Sequence, residues 1–232
     1  GQDVDYVAAI NTKNGKIAWK TDRTLDLPQK FSFSTPLVIT VDGKKQIVCP
    51  GTGHVAAYEP KTGQEIWRVM YGRGYSVIPR PVFGHGLVYV CSGWNTPTLF
   101  AIKPTGNGDV TDTHVVWKQT SKANVPHTPS ALLIKDDLFL ISDSGIASCL
   151  DARTGQLHYR KRIGGKFSAS PTFADGKIYL QSEGGRGHVL KPGRQFVELG
   201  RSQLEGRTFA CYAVADNALF IRTETKMFRI EQ

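Results

Sequence analysis

The sequence predicts an all-β chain, a run of four-stranded antiparallel β-propeller blades. Three recurring elements predict it: a short apolar run opened by a Pro, a tight turn between apolar runs, and a strand–Gly turn–strand unit ending in an aromatic ring. They follow one another in the same order along the chain, and self-similarity at a period of about 40 to 50 residues is the signature of blades.

The Pro-led runs are Phe33–Val38, Pro79–Phe83, His127–Leu132 and Ala169–Phe173, and the steps from Pro36 to Pro81, Pro129 and Pro171 are 45, 48 and 42 residues. Proline has no amide hydrogen for a ladder, so it belongs at a strand's first residue or on an edge. The turns are Asp42-Gly43, His85-Gly86, Asp136-Asp137, Asp175-Gly176 and Asp216-Asn217. Such pairs suit hairpins, because primed turns need positive φ. Each leads into a β-rich run, such as Leu87–Val90 or Lys177–Leu180.

The third element runs Ala9–Trp19, Ala57–Trp67, Ala101–Trp117 and Leu150–Tyr159. Its aromatic positions step by 48, 50 and 42, and the third copy is six residues longer within Gly106–Asp112. No segment has a helical period. Residues 30–74, 75–123, 124–165 and 166–206 are expected to be complete blades. Residues 1–29 would hold the outer two strands of another, and 207–232 the inner strands of a further one. This count favours a portion of a ring of roughly seven or eight blades over a closed ring of about five.

The third element resembles the repeat of the pyrroloquinoline-quinone (PQQ) propeller family, whose signature reads roughly Ala-x-Asp-x-x-Thr-Gly-x-x-x-Trp. Gly15, Gly63 and Gly155 match the turn glycine; Trp19, Trp67 and Trp117 match the tryptophan, with Tyr159 in its place in the fourth copy. Only Asp151 keeps the acid, which is Asn11, Glu59 and Lys103 elsewhere, and the copy near Lys191-Pro192-Gly193 has lost both acid and ring. The resemblance implies that these residues dock one blade on the next. Burial of such a ring contributes about 2–3 kcal/mol on physical grounds alone.

The family includes quinone-dependent alcohol and sugar dehydrogenases and a non-enzymatic branch, to which the lipoprotein of the outer-membrane β-barrel assembly machinery belongs. The dehydrogenases often carry a vicinal cysteine pair, calcium ligands and a catalytic Asp. Here no Cys-Cys occurs: Cys49, Cys91, Cys149 and Cys211 are far apart, in apolar runs that suggest buried thiols. The resemblance therefore implies a bacterial, periplasmic or otherwise extracytoplasmic binding or scaffolding module for a protein or polymer partner, with no cofactor expected. PQQ with calcium belongs only to the alternative of a dehydrogenase fragment.

Composition fits this. Hydrophobic residues are 40% and charged residues 21% of 232, with a net charge of +9. The basic residues are dispersed, with Arg160-Lys161-Arg162 the densest stretch, so no nucleic-acid partner is expected. No apolar run approaches the roughly 20 residues of a membrane span. The six histidines show no metal-binding spacing. Ser34, Arg80, His127, Ser168 and Ser170, at the entries of innermost strands, would line a channel. Trp94, Arg73 and Arg186, in Gly-rich or loop segments, are candidate ligand contacts. Exposed Trp94 and Tyr75 also admit a further alternative, a carbohydrate-binding or polysaccharide-processing propeller.

Overall fold

The structure, a computed structural model, describes residues 5–23, 25, 27, 29–94, 97–120 and 124–231. It is all-β apart from one helical turn, and divides into two compact units, residues 1–120 and 121–232. Each is a series of mainly antiparallel sheets of consecutive strands, because all but one of the connections within a described sheet are short enough to act as hairpins.

In the first unit, β1 (Tyr6–Ile10) pairs with β2 (Ile17–Asp22). The next sheet is a meander of β3 (Leu37–Val41), β4 (Lys44–Pro50), β5 (His54–Tyr58) and β6 (Glu65–Met70). The third comprises β7 (Val82–Gly84), β8 (Leu87–Cys91) and β9 (Leu99–Ile102), and is completed by β11 (Val115–Gln119). The residues between β9 and β11 hold β10 (Gly108–Asp109) and the four-residue helix α1 (Thr111–His114). This is the lengthened third copy, whose extra residues carry neither a strand alternation nor a helical period. β10 turns back to pair in parallel with β6, opposite Trp67 and Arg68, adding a fifth strand to the preceding sheet. Val110 is buried there, and the Thr111 hydroxyl accepts the Met70 amide at 2.8 Å.

In the second unit, β12 (Leu132–Ile134), β13 (Asp137–Ile141), β14 (Ile146–Asp151) and β15 (Leu157–Arg162) form one sheet. β16 (Thr172–Ala174), β17 (Lys177–Gln181), β18 (Arg186–Leu190) and β19 (Glu198–Gln203) form the next. A three-stranded sheet of β20 (Ala213–Ala215), β21 (Ala218–Arg222) and β22 (Met227–Glu231) follows.

The core of each unit lies between successive sheets. Val48, Val55, Trp67 and Val69 of one sheet pack with Val88, Val90, Phe100 and Ile102 of the next. Phe139, Ile141 and Cys149 pack likewise with Ile178, Leu180 and Leu190. Middle strands are covered on both faces, so β5, β8 and β9 are buried throughout while the outer strand β2 is largely exposed.

Two readings need correction. The third turn is Lys135-Asp136 rather than Asp136-Asp137: Ile134 pairs with Asp137, and Lys135 carries the positive φ of 52°. Two adjacent aspartates hid the register, whereas Asp42-Gly43, His85-Gly86, Asp175-Gly176 and Asp216-Asn217 all have positive φ at both positions. Cys211 is exposed and precedes β20, while Cys49, Cys91 and Cys149 are buried free thiols on strands.

Candidate functional site

The signature residues occupy equivalent places. Trp19, Trp67, Trp117 and Tyr159 lie on the fourth strands β2, β6, β11 and β15, opposite Ala9, Ala57, Ala101 and Cys149 on the third. A small residue opposite leaves room for the ring. Trp67 is fully buried and the other three are half-buried.

These rings join one sheet to the next. The Trp19 indole N–H donates to the Pro60 carbonyl at 2.8 Å, and the Thr21 hydroxyl donates to the Gly63 carbonyl at 2.6 Å. Gly63, at φ +73°, is so close to the Trp19 ring that a Cβ would overlap the indole. One sheet further on, the Trp67 indole donates to Gln46 Oε1 at 2.8 Å, and the Gln46 amide reaches the Pro104 carbonyl at 3.3 Å. Pro104 is the counterpart of Pro60, so Gln46 acts as a relay, a role its sequence position does not advertise. Tyr159 meets Phe196, which precedes β19 of the next sheet, edge-on at 5.7 Å, whereas Trp117 lies 5.9 Å from Tyr89 within its own sheet.

The acid of the signature shapes its own turn. Asp151 Oδ1 accepts the amides of Arg153 and Thr154 and the Thr154 hydroxyl, all at 3.0 Å, while Gly155 adopts φ +71°. Glu59 caps the amides of Lys61 and Thr62 in the same manner, and Gly15 takes φ +70° in its turn. Burial opposes ionisation of Asp151, but the bonds from Thr154 and Arg153 outweigh it and hold its carboxyl below the ordinary range. Arg194 of the following sheet clasps Asp151 Oδ2 at 3.2 Å and Asp137 at 3.1 Å.

The residues expected at strand entries are largely engaged in holding those entries. In the first unit, the Ser34 hydroxyl donates to the Pro79 carbonyl at 2.9 Å, and Arg80 beside it is exposed. In the second unit, Asp143 accepts the amides of His127 at 2.7 Å and Thr128 at 3.2 Å, with the His127 ring 3.5 Å away. Burial works against the Asp143 charge, yet the bonds from His127 and Thr128 keep its carboxyl below its usual range. Ser168 donates to Glu183 at 2.8 Å, and Ser170 accepts the Ser130 amide at 2.9 Å. Asp143 and Glu183 are thus the anchors that the sequence reading missed.

Of the loop candidates, Trp94 and Arg73 both flank Tyr75. Trp94 pairs with it in an antiparallel bridge, while exposed Arg73 lies two residues before it. Asn95 and Thr96, which follow Trp94, lie outside the described residues. Arg186 is exposed at the head of β18 in the other unit.

A third polar group surrounds Arg23, whose side chain is 4% exposed. Its guanidinium donates to the Cys49 carbonyl at 2.8 Å, lies 3.9 Å from Asp5, and packs where a Cβ on Gly51 would stand. Burial pushes the Cys49 thiol up to about 11 despite that cation. Among the described residues no cluster of three or more His, Cys, Asp or Glu side chains is arranged to hold a metal ion, and no helix is long and apolar enough to cross a membrane.

A family model described as outer membrane protein assembly factor BamB matches residues 2–113 and 107–193. The crystal structure of BamB from Moraxella catarrhalis superposes with a TM-score of 0.67 at 16% identity, covering 94% of this chain and 64% of that one. The quinohemoprotein alcohol dehydrogenase ADH-IIG of Pseudomonas putida is 27% identical over 190 residues, covering 71% of this chain. The chain spans 24% of the length of that enzyme.

Proposed function

The chain belongs to the family described as outer membrane protein assembly factor BamB, a family of PQQ-like repeat propellers, and on that premise we propose that it is a non-catalytic module that binds a protein partner at the bacterial cell envelope. The fate of the signature residues and of the polar side chains beside them carries this reading. The indole of Trp19, the hydroxyl of Thr21, the amide of Gln46 and the carboxylate of Asp151 are each committed to joining sheets or shaping turns. What the chain shares with its relatives is a frame, and frames of stacked sheets serve as extended binding surfaces.

The likeness to the alcohol dehydrogenase favours a second reading, in which the chain forms part of a site for PQQ with calcium. The described residues do not fit that pair. Cys49, Cys91 and Cys149 are single thiols on separate strands, and carboxylates do not converge as ligands among the described residues.

One experiment separates the readings. The purified chain is used to isolate partners from a cell-envelope fraction, and binding is then repeated with each partner purified. In parallel, the chain is given PQQ, calcium, a dye acceptor and a panel of alcohols and sugars. Saturable binding of a purified protein without dye reduction supports the scaffold. Stoichiometric cofactor uptake with substrate-dependent reduction overturns it.

A further inference from the structure

Three aromatic rings from two loops of the first unit touch in sequence at the surface, and a third loop brings Trp94 beside them through the backbone. Phe31 and Phe33 have centroids 6.0 Å apart, and Phe31 meets Tyr75 at 5.8 Å. Tyr75 is bridged to Trp94, whose amide donates to the Tyr75 carbonyl at 2.8 Å. Residues opposed in this way place their side chains on one face. A parallel bridge from Ser32 to Val77 and the Phe33 amide bond to the Val77 carbonyl fasten the first loop to the second. Phe33 is nonetheless 65% exposed and Trp94 53%. Rings so large, exposed and adjacent are the mark of an interaction surface.

The chain segments that carry the row hold basic residues and no acidic one. No Asp or Glu occurs between Glu65 and Asp109, or between Asp26 and Asp42, while Lys30, Arg73 and Arg80 fall in those stretches. Arg73 and Arg80 are both exposed.

The ring planes discriminate between kinds of ligand. Phe31 is tilted 44° to Phe33 and 82° to Tyr75, so the rings share no plane on which successive sugar faces could stack. The two ring spacings, 6.0 Å from Phe33 to Phe31 and 5.8 Å from Phe31 to Tyr75, instead come within about 1 Å of the ~6.6 Å between alternate side chains of an extended chain. We propose that this row docks an extended segment of a second polypeptide, with apolar side chains at alternate positions and carboxylates between them. The proposal rests on the protein-binding reading above and gives it a place and a ligand chemistry.

The test is fluorescence anisotropy with a labelled peptide of about nine residues alternating Val and Glu, beside a Val–Lys peptide and a cello-oligosaccharide. The Val–Glu peptide is expected to bind saturably and the other two not. Phe33→Ser and Trp94→Ser should each weaken binding about fivefold or more, with unchanged circular dichroism because both rings are solvent-exposed. Arg80→Glu should weaken the Val–Glu peptide and improve the Val–Lys one. Absence of binding, equal binding of both peptides, indifference to the ring substitutions, or competition by the glycan would each overturn the proposal. A purified native partner that binds the Phe33→Ser/Trp94→Ser double variant as tightly as wild type sinks this surface and leaves the scaffold reading standing. Failure of every polypeptide partner to bind sinks the scaffold reading itself.

Discussion

Trp67 stands opposite Ala57 across the β5–β6 ladder, whereas the equivalent pair in the β16–β19 sheet is Gly200 opposite Val189. Where the third strand is small the fourth carries a ring, and where the third is branched the ring is gone. Ala57→Val is therefore expected to overpack the site, costing about 1–3 kcal/mol in urea unfolding. Trp67→Ala should cost about 3–5 kcal/mol, since the ring is fully buried. A loss below about 1 kcal/mol for Trp67→Ala would contradict a docking role.

Gly63 and Gly15 offer an internal control. Both have φ near +70°, but a Cβ at Gly15 meets nothing within 4 Å, while one at Gly63 overlaps Trp19. Gly15→Ala should cost only the conformational strain, about 1 kcal/mol. Gly63→Ala should cost at least about 1–2 kcal/mol more. Equal losses would show that Trp19 does not depend on the glycine.

His54 sets a pH window. Burial, and after it the charge of Arg23, lower its pKa from 6.5 to about 4. The unfolded chain takes the proton first, so stability is full above pH 6.5 and falls as the pH drops towards 4, by about 3 kcal/mol in all. Asp5, whose carboxyl is raised by burial, works in the opposite direction at the acidic end. Urea unfolding at pH 7.5 and 4.5 should show the loss. His54→Asn, which keeps a donor for the Thr52 carbonyl, should flatten it. A wild-type profile with no slope would refute the assignment.

Glu198 acts in a lower window. Hydrogen bonding from Arg201 first, and from His188 as well, depresses its pKa from 4.5 to about 2 against partial burial. Its contribution is present above pH 4.5 and lost as the pH falls towards 2. Glu198→Gln should lower stability at pH 6 by about 1–3 kcal/mol and narrow the gap to wild type below pH 3. A constant gap across that range would exclude this coupling.

The repeat was legible because its parts are local. A turn glycine, a ring and the small residue across from it lie within a dozen or so positions, as in Ala57–Trp67. The partners of those parts were not legible, because they belong to the next copy. Gln46 reaches Pro104, Arg194 reaches Asp151, and Phe31 reaches Tyr75 only once neighbouring sheets are stacked. Trp94 and Arg73 could be suspected from loop context, but the place of Trp94 beside Tyr75 depends on a bridge between separate segments of the chain.

The strand β10 changes how the first unit would yield to force. Ties such as that from Trp19 to Pro60 run forward from one sheet to the next; β10 runs backward, clipping the chain that follows β9 onto β6. Pulling on the chain ends would otherwise peel these sheets one after another. With ties crossing in both directions, the β3–β6 and β7–β11 sheets should rupture together, as one larger step in a single-molecule extension trace.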